Sequence, residues 1–411
     1  MTAISFCYVR VMIGPFDLNL RHLRSLGAMI ASRSLNRAAD AAGLSQPALT
    51  QGLGKMERQL DVRLFDRHPG GITPTHAGSM LAERSERAFA FLAAATRRGG
   101  RAARGFARPD RLMTATQLEA YLHFADAQGF VGAAAASGLS QPAIHRAVRE
   151  LEQICAVPLA ERRGRGMALT PAGRALARGV RLAAKEIAAG IAEARSEEGA
   201  AGRVTIGAMP LSRALLLPHA IAAFVAESNT VIDVVEGSWR ELVDPLLDGV
   251  IDLMVGALRD DPPDGIEQTP LFTDRLAIFA RAGHPLAGGD VDLDMLAAQS
   301  WVVGPRGTPL RAHWEALFDG RAAPAVPVEC GSVMVIRGVL VQSDLLTLLS
   351  GDQVALEVQA GVLTRIGADL AGTVRTIGIS TRADWRPTRA QRRLVELLHR
   401  ATRETRLQEI G

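Results

Sequence analysis

Leu49, Leu53, Met56 and Leu60 recur at i, i+4, i+7 and i+11, a spacing that lays one apolar stripe along a helix. Ninety-five residues later Ile144, Val148, Leu151 and Cys155 repeat it. The stripes belong to an internal repeat: laid over residues 115–176 without a gap, residues 20–81 match at 19 of 62 positions, centred on identical Leu-Ser-Gln-Pro-Ala blocks at 44–48 and 139–143. Each copy predicts an apolar-periodic helix, an Ala-rich helix stopped by Gly43 or Gly138, a short turn and a second helix. Ser45 and Ser140 suit the N-cap of that last helix, and Pro47 and Pro142 follow in its first turn, where a missing N–H costs little. A further Ala-rich helix is expected over 79–95. After the second copy, Leu176, Val180, Ala183, Ile187 and Ile191 form another helical stripe.

Beyond residue 202 the pattern changes to short apolar runs alternating with amphipathic stretches. Strands are expected at 203–208, 231–235 and 251–257, with helices at 213–228 and 240–248 between them. The alternation resumes with 301–303, 310–318, 326–329, 333–341 and 345–349, and 388–405 reads as a closing helix rich in Arg and Leu. Such alternation argues a parallel sheet with helices on its faces, here in two lobes.

With its apolar face fixed, the last helix of each copy must present the opposite face to solvent. That face carries Gln46, Pro47, Thr50 and Gln51 in the first copy, and Gln141, Pro142, His145, Arg146 and Arg149 in the second. Gln can pair bidentately with adenine and Arg with guanine, and a helix N-terminus favours phosphate. Basic Gly-containing turns follow, with Arg67 in the first copy and Arg162, Arg163 and Arg165 in the second, placed to reach backbone phosphate or a minor groove. Charge agrees with this reading. The net +4 divides into 27 basic against 17 acidic side chains over residues 1–200 and 20 against 26 beyond. One half is suited to a polyanion and the other is not.

These residues carry a resemblance. Leu-Arg-His-Leu-Arg at 20–24, Arg-Ala-Ala at 37–39, Leu-Ser-Gln-Pro-Ala-Leu at 44–49, Leu-Phe-Asp-Arg at 64–67 and Thr75 ahead of Ala77-Gly78 resemble the winged helix-turn-helix of LysR-type transcriptional regulators, and the second copy carries the same pattern. The resemblance implies base contacts for Gln46, Pro47, Thr50, Gln51, Gln141, Pro142, His145 and Arg146, and DNA contacts for the wing residues Arg67 and Arg162. It also implies a periplasmic-binding-protein-like effector domain, so the expected fold is multidomain: two winged helix-turn-helix domains rich in helix, then a two-lobed α/β domain. In that family the helix over 174–195 pairs two subunits, which the stripe would serve in preference to merely packing on its own domain. A family member usually has one helix-turn-helix domain, so the duplication is a departure. The copies also differ: Gly52 and Gly54 interrupt the first recognition helix, whereas the second has arginines and the more basic wing. The second copy is therefore expected to be the main reader.

The expected domains are residues 18–78, a helix and basic linker at 79–112, 113–173, a linker and dimerisation helix at 174–201, and an effector domain at 202–411. Its first lobe is expected at about 202–288 and 362–411, its second at about 289–361. In open α/β sheets ligands sit beyond the strand ends, where helix N-termini point inward. Ser212, Ser238, Thr308 and Ser332 fall there and are expected to contact an effector, or to serve as N-caps, with Arg306 or Arg311 for a carboxylate.

No enzyme signature is present: no phosphate loop, no G-x-S-x-G and no H-E-x-x-H. Asp260, Asp261 and Asp264 flank Pro262-Pro263 and read as a solvated turn rather than a metal site. Cys7, Cys155 and Cys330 form no CxxC pair, which excludes a disulfide scaffold and points to an intracellular protein; Cys330 reads as a small buried side chain. The first sixteen residues do not read as a secretory signal, and Met12 offers a second start. The expectation is a cytoplasmic regulator, without cofactor or metal, that binds double-stranded promoter DNA and a small-molecule effector. It would act as a homodimer or homotetramer, away from membranes, with RNA polymerase as a further candidate partner. The rival is a ligand-binding or enzymatic α/β protein whose N-terminal repeat mediates protein contacts.

Overall fold

The computed structural model describes residues 13–98, 106–164, 166–195, 202–368, 370 and 372–408. Cys7, Met12, the middle of the arginine-rich connector, Arg165 and the acidic break after residue 195 lie outside the described residues. The chain divides into two units, Met1–Gly202 with Asp248–Val250, and Arg203–Leu247 with Ile251–Gly411.

In the first unit, copy 1 comprises α1 (Leu20–Ser32), α2 (Leu35–Ala42), α3 (Gln46–Leu60), the hairpin β1 (Phe65–His68) and β2 (Gly71–Pro74), and the long α4 (His76–Arg98). Copy 2 repeats it as α5 (Ala115–Ala127), α6 (Phe130–Ser137), α7 (Gln141–Cys155), β3 (Ala160–Arg163), β4 (Gly166–Leu169) and α8 (Pro171–Ala194). Ser45 and Ser140 cap α3 and α7, accepting hydrogen bonds from the Ala48 and Ala143 amides, and Gly43 and Gly138 close α2 and α6 in the left-handed conformation. The repeat extends to backbone detail. Among the described residues the non-glycine positions with positive φ are Arg33 and Gln128, and Asp61 and Ala156, two pairs each separated by the repeat length. Each stripe is buried as its spacing predicts, except that Cys155 is half-buried. One continuous apolar core runs through both copies, from Leu18 to Ala194. The stripe on α8 is covered by α4 of the same chain; its expected pairing with a second subunit is corrected in that respect.

The second unit begins with β5 (Arg203–Ala208), α9 (Leu216–Glu227), β6 (Val231–Glu236), α10 (Trp239–Leu247) and β7 (Leu253–Ala257), then two strands, β8 (Ile266–Asp274) and β9 (Leu276–Arg281). It continues with α11 (Leu293–Ala297), β10 (Ser300–Val303), α12 (Pro309–Leu317), β11 (Ala325–Glu329), α13 (Val333–Val341) and β12 (Thr347–Ser350). It closes with α14 (Ala355–Gln359), β13 (Leu363–Ile366), β14 (Arg375–Arg382) and α15 (Arg389–Gln408). The first lobe is a five-stranded sheet in the order β6-β5-β7-β14-β8. The second holds β12-β9-β13 and β10-β11, linked by a bridge from Trp301 to Leu346. The parallel expectation holds for β5 with β6 and β7 and for β10 with β11, whereas β14 and the β9 sheet pair antiparallel, so the sheets are mixed. Because β9 and β13 belong to the second lobe, the chain crosses between lobes at Asp274–Leu276 and between Ile366 and Arg375, not near 288 and 361.

Candidate nucleic-acid interface and effector cleft

Burial of one stripe decides what α3 and α7 can offer a ligand. Gln46, Pro47 and Gln51 on α3, and Gln141, Pro142 and Arg146 on α7, are exposed in the first two turns of their helices, and Arg149 is exposed at mid-helix on α7. Thr50 and its repeat partner His145 are half-buried instead. The Thr50 hydroxyl is turned inward without a hydrogen-bond partner, and the His145 ring stacks on Phe130 at 4.5 Å, continuing the stack from Phe124. Both therefore support the helix from beneath its exposed face. Gly52 also has a local reason: a Cβ there would sit 2.5 Å from the His22 ring. Burial, then Lys55 and Arg21, lower the pKa of His22. A neutral imidazole is the form that tolerates this wedge between α1 and α3.

The wings are braced identically in both copies. One Glu57 carboxylate oxygen accepts from the Leu64 and Phe65 amides at 2.8 and 3.3 Å, and Glu152 does the same for Leu159 and Ala160 at 2.9 and 3.2 Å. Thr75 and Thr170 accept from the amides of Gly78 and Gly173, where a Cβ would come within 2.0 Å of the Leu64 or Leu159 carbonyl oxygen. The threonine and glycine of this signature thus lock the wing onto the helix that follows it. The wing tips project Arg67, Arg162 and Arg163, all exposed. Among the described residues none of these arginines, nor Arg146 or Arg149, is engaged in an ion pair, so five guanidinium groups stand ready for an anion. Arg165 lies outside the described residues.

The expected effector residues fare unequally. Ser212 is fully buried and its hydroxyl donates to the carbonyls of Met209 and Val255, tying β5 to β7; it caps no helix, since α9 begins after Leu215. Ser238 is exposed and donates its backbone amide and then its hydroxyl to Glu241, both at 2.8 Å, and together these bonds hold the Glu241 pKa below the usual carboxylate range. Thr308 and Ser332 cap α12 and α13, accepting from the Arg311 and Val335 amides. The Arg306 side chain is 80% exposed, 3.8 Å from Glu329. Arg311 is buried against Trp314 and bonds Glu315 and Glu329 at 2.8 and 3.0 Å, which removes it as a carboxylate receptor.

A cavity of about 460 Å³ at the crossing between lobes is lined instead by residues including Phe272, Asp274, Arg275, Asp352 and Arg365. Asp274 within it accepts from Ser350 at 2.6 Å and Arg375 at 2.7 Å. None of the five expected effector residues lines it. The sequence signal for this cavity is faint, an Asp-Arg dipeptide between two strands, because its walls come from five separated segments. Among the described residues no cluster of His, Cys, Asp or Glu could hold a metal, and no helix is long and apolar enough to cross a membrane. Cys155 is pushed up to about 11 by burial, so its thiolate is disfavoured at neutral pH.

The comparisons with known proteins bear on both halves. Residues 197–403 match the family described as LysR substrate binding domain, and residues 20–79 and 115–174 each match the bacterial regulatory helix-turn-helix protein, lysR family. The chain is 32% identical over 370 residues to the HTH-type transcriptional regulator GalR of Pseudomonas putida, covering 89% of this chain and 92% of that one. Among solved structures, ArgP of Mycobacterium tuberculosis superposes with a TM-score of 0.57 at 16% identity, and a full-length OxyR variant of Pseudomonas aeruginosa with 0.55 at 23%. These likenesses concern the fold. The ArgP match covers 70% of this chain and 96% of that one, the OxyR match 71% and 95%, so this chain carries substantial extra length.

Proposed function

The chain belongs to the LysR family of bacterial helix-turn-helix regulators, and from that premise we propose which of its residues read DNA and which sense the effector. It is a sequence-specific DNA-binding transcriptional regulator with an effector-binding domain, not an enzyme. Gln46, Pro47, Gln51, Gln141, Pro142, Arg146 and Arg149 face bases, and Arg67, Arg162 and Arg163, with Arg165, hold phosphate. Thr50 and His145 position these helices from behind. The observation that supports this best is the set of exposed guanidinium groups without ion pairs on α7 and both wings. Because most of them belong to copy 2, that copy is the principal reader.

Retardation of promoter DNA by the full chain tests this. Arg146→Ala should cost about 1–3 kcal/mol of specific binding, the value of a bidentate base contact, and Gln51→Ala less. Equal losses would remove the precedence of copy 2, and binding without sequence preference or salt dependence would contradict the reading altogether.

The effector binds between the two lobes of the second unit, where the hydroxyls of Ser238, Thr308 and Ser332 and the Arg306 guanidinium are within reach of solvent. Ser212 contributes by fixing the turn after β5. A ligand there shifts the balance of lobe closure and thereby the disposition of the DNA-reading half. The working form is a cytoplasmic homodimer or homotetramer, with RNA polymerase as a further partner. Thermal-shift titration of the full chain against small metabolites identifies the ligand by its stabilisation. Loss of the shift in Thr308→Ala/Ser332→Ala supports the cleft; an unchanged shift there, with loss in Arg275→Ala, would move the site to the cavity at the lobe crossing.

A further inference from the structure

The helices α4 and α8 occupy equivalent places in the two copies and pack on each other along their length. Their contacts run antiparallel: a Cβ on Gly179 would meet the Ala95 side chain, and one on Gly190 would meet Arg84. Exchanging the copies, by adding the repeat length to 84 and 95, turns one contact into the other. The pair is therefore built around a local two-fold axis that passes midway between residues 84 and 95 and relates copy 1 to copy 2.

The chemistry across this axis is not symmetric. The Arg84 side chain is 1% exposed and bonds Glu186 at 2.9 Å and Glu193 at 2.5 Å, and Arg87 reaches Glu186 at 3.1 Å. Burial opposes the Arg84 charge, but the bonds to Glu193 and Glu186 outweigh it and raise its pKa. In the symmetry-related place Gly179 replaces Arg84, while Phe91 and Arg98 replace the two glutamates. Pairing α4 with another α4 would set Arg84 against Phe91 and Arg98, without a carboxylate. Pairing α8 with another α8 would set Glu186 and Glu193 against Gly179, without a cation. Buried charges left so are strongly unfavourable, so the interface selects copy 1 with copy 2. A second contact ties the copies within one chain. Arg24 of α1 lies over the Phe89 ring of α4 at 3.9 Å and bonds the side chain and carbonyl of buried Asp110, just ahead of copy 2, at 3.1 and 2.6 Å.

We propose that the first unit is a covalent two-headed reader: one chain presents its two unlike recognition helices about the α4–α8 two-fold to a duplex whose two half-sites are inverted and differ in sequence. The helix pair that could recruit a second chain is thereby satisfied within the chain, and further oligomerisation uses other surfaces. The proposal rests on the DNA-reading assignment above.

Selection of random duplexes by the full chain tests it. The expected product is a bipartite inverted site with unlike halves. Gln46→Ala/Gln51→Ala should flatten the preference in one half only and Arg146→Ala/Arg149→Ala in the other only, each by roughly tenfold or more per lost base contact. A motif with identical halves, or loss of both halves in one variant, would overturn the pairing while leaving DNA reading intact. Absence of any enriched motif with the unaltered chain would overturn DNA reading and the proposal with it. Pairing within one chain is read separately, by placing a photoreactive benzophenone side chain at the partly exposed Arg87 in mixed light and heavy-isotope chains. Cross-links to α8 should join light to light and heavy to heavy; mixed products would overturn it.

Discussion

Arg84 offers the sharpest test of how the two copies are held together. Its guanidinium is almost wholly buried, and the carboxylates it bonds, Glu186 and Glu193, have side chains only 10% and 13% exposed. Arg84→Met keeps most of the bulk and removes the charge. Arg87 still reaches Glu186, so Glu193 bears most of the consequence. Removing one partner of a buried ion pair costs about 3–5 kcal/mol because the other charge is left uncompensated. For a unit of this size each kcal/mol moves the melting temperature by about 2–4 °C, so the first unfolding transition should fall by about 6–20 °C. Calorimetry on the full chain reads it, because the second unit serves as an internal reference. The combined Arg84→Met/Glu186→Gln/Glu193→Gln variant should recover most of the loss, since neutral groups need no counter-charge. A fall of less than about 2 °C in Arg84→Met, or no recovery in the combined variant, would refute the ion cluster as the lock between copies.

Three further outcomes follow from the same unit. Gly173→Ala places a Cβ 2.0 Å from the Leu159 carbonyl oxygen, and overpacking of this kind costs about 1–3 kcal/mol; a chemical-denaturation midpoint unchanged from the parent would contradict the tight wing junction. Ala156 holds φ at 55° at the end of α7, a conformation that costs a residue with a Cβ roughly 1 kcal/mol; Ala156→Gly should therefore raise the melting temperature, and a decrease would argue against that strain. His22 has a folded-state pKa below 6.5, so the unfolded chain binds a proton that the folded chain rejects. Its contribution is complete above about 6.5 and is lost as pH falls towards the folded-state value. Melting temperature against pH should show that decline, and His22→Gln, which installs the side chain found at the equivalent Gln117, should flatten it.

Much of this architecture was readable where one period dominates. The helix over 333–341 and the strand over 203–208 match α13 and β5, since each is a short apolar run, with Ile336 and Leu340 buried in the one and Val204, Ile206, Gly207 and Ala208 in the other. The amphipathic pattern starts at 213 but α9 starts at Leu216, because residues 213–215 form a turn before the helix. No pattern in the sequence marks the strands β8, β9, β13 and β14. β8 contains Pro270 and exposed polar residues, β14 contains Gly378, and their pairing as antiparallel returns leaves no alternation with helices to reveal them. At the DNA face, the buried stripe foretold which residues stay exposed, but not that Thr50 and His145 turn inward, because that depends on partners such as Phe130. The stripe on α8 likewise announced a face needing cover without naming what covers it. Only the positions of Arg84, Glu186 and Glu193 across the interface identify α4 of the same chain.

On the proposed reading the basic half grips a duplex through exposed arginines on the wings and recognition helices. The most direct measurement is the affinity of the full chain for its selected duplex as a function of salt. The logarithm of the binding constant should fall linearly with the logarithm of salt concentration, by about 0.9 per phosphate neutralised. Replacing Arg67, Arg162 or Arg163 with Ala should each reduce that slope by about one while weakening all sequences alike. A slope near zero, or one unchanged when all three arginines are removed, would show that these side chains do not hold the duplex.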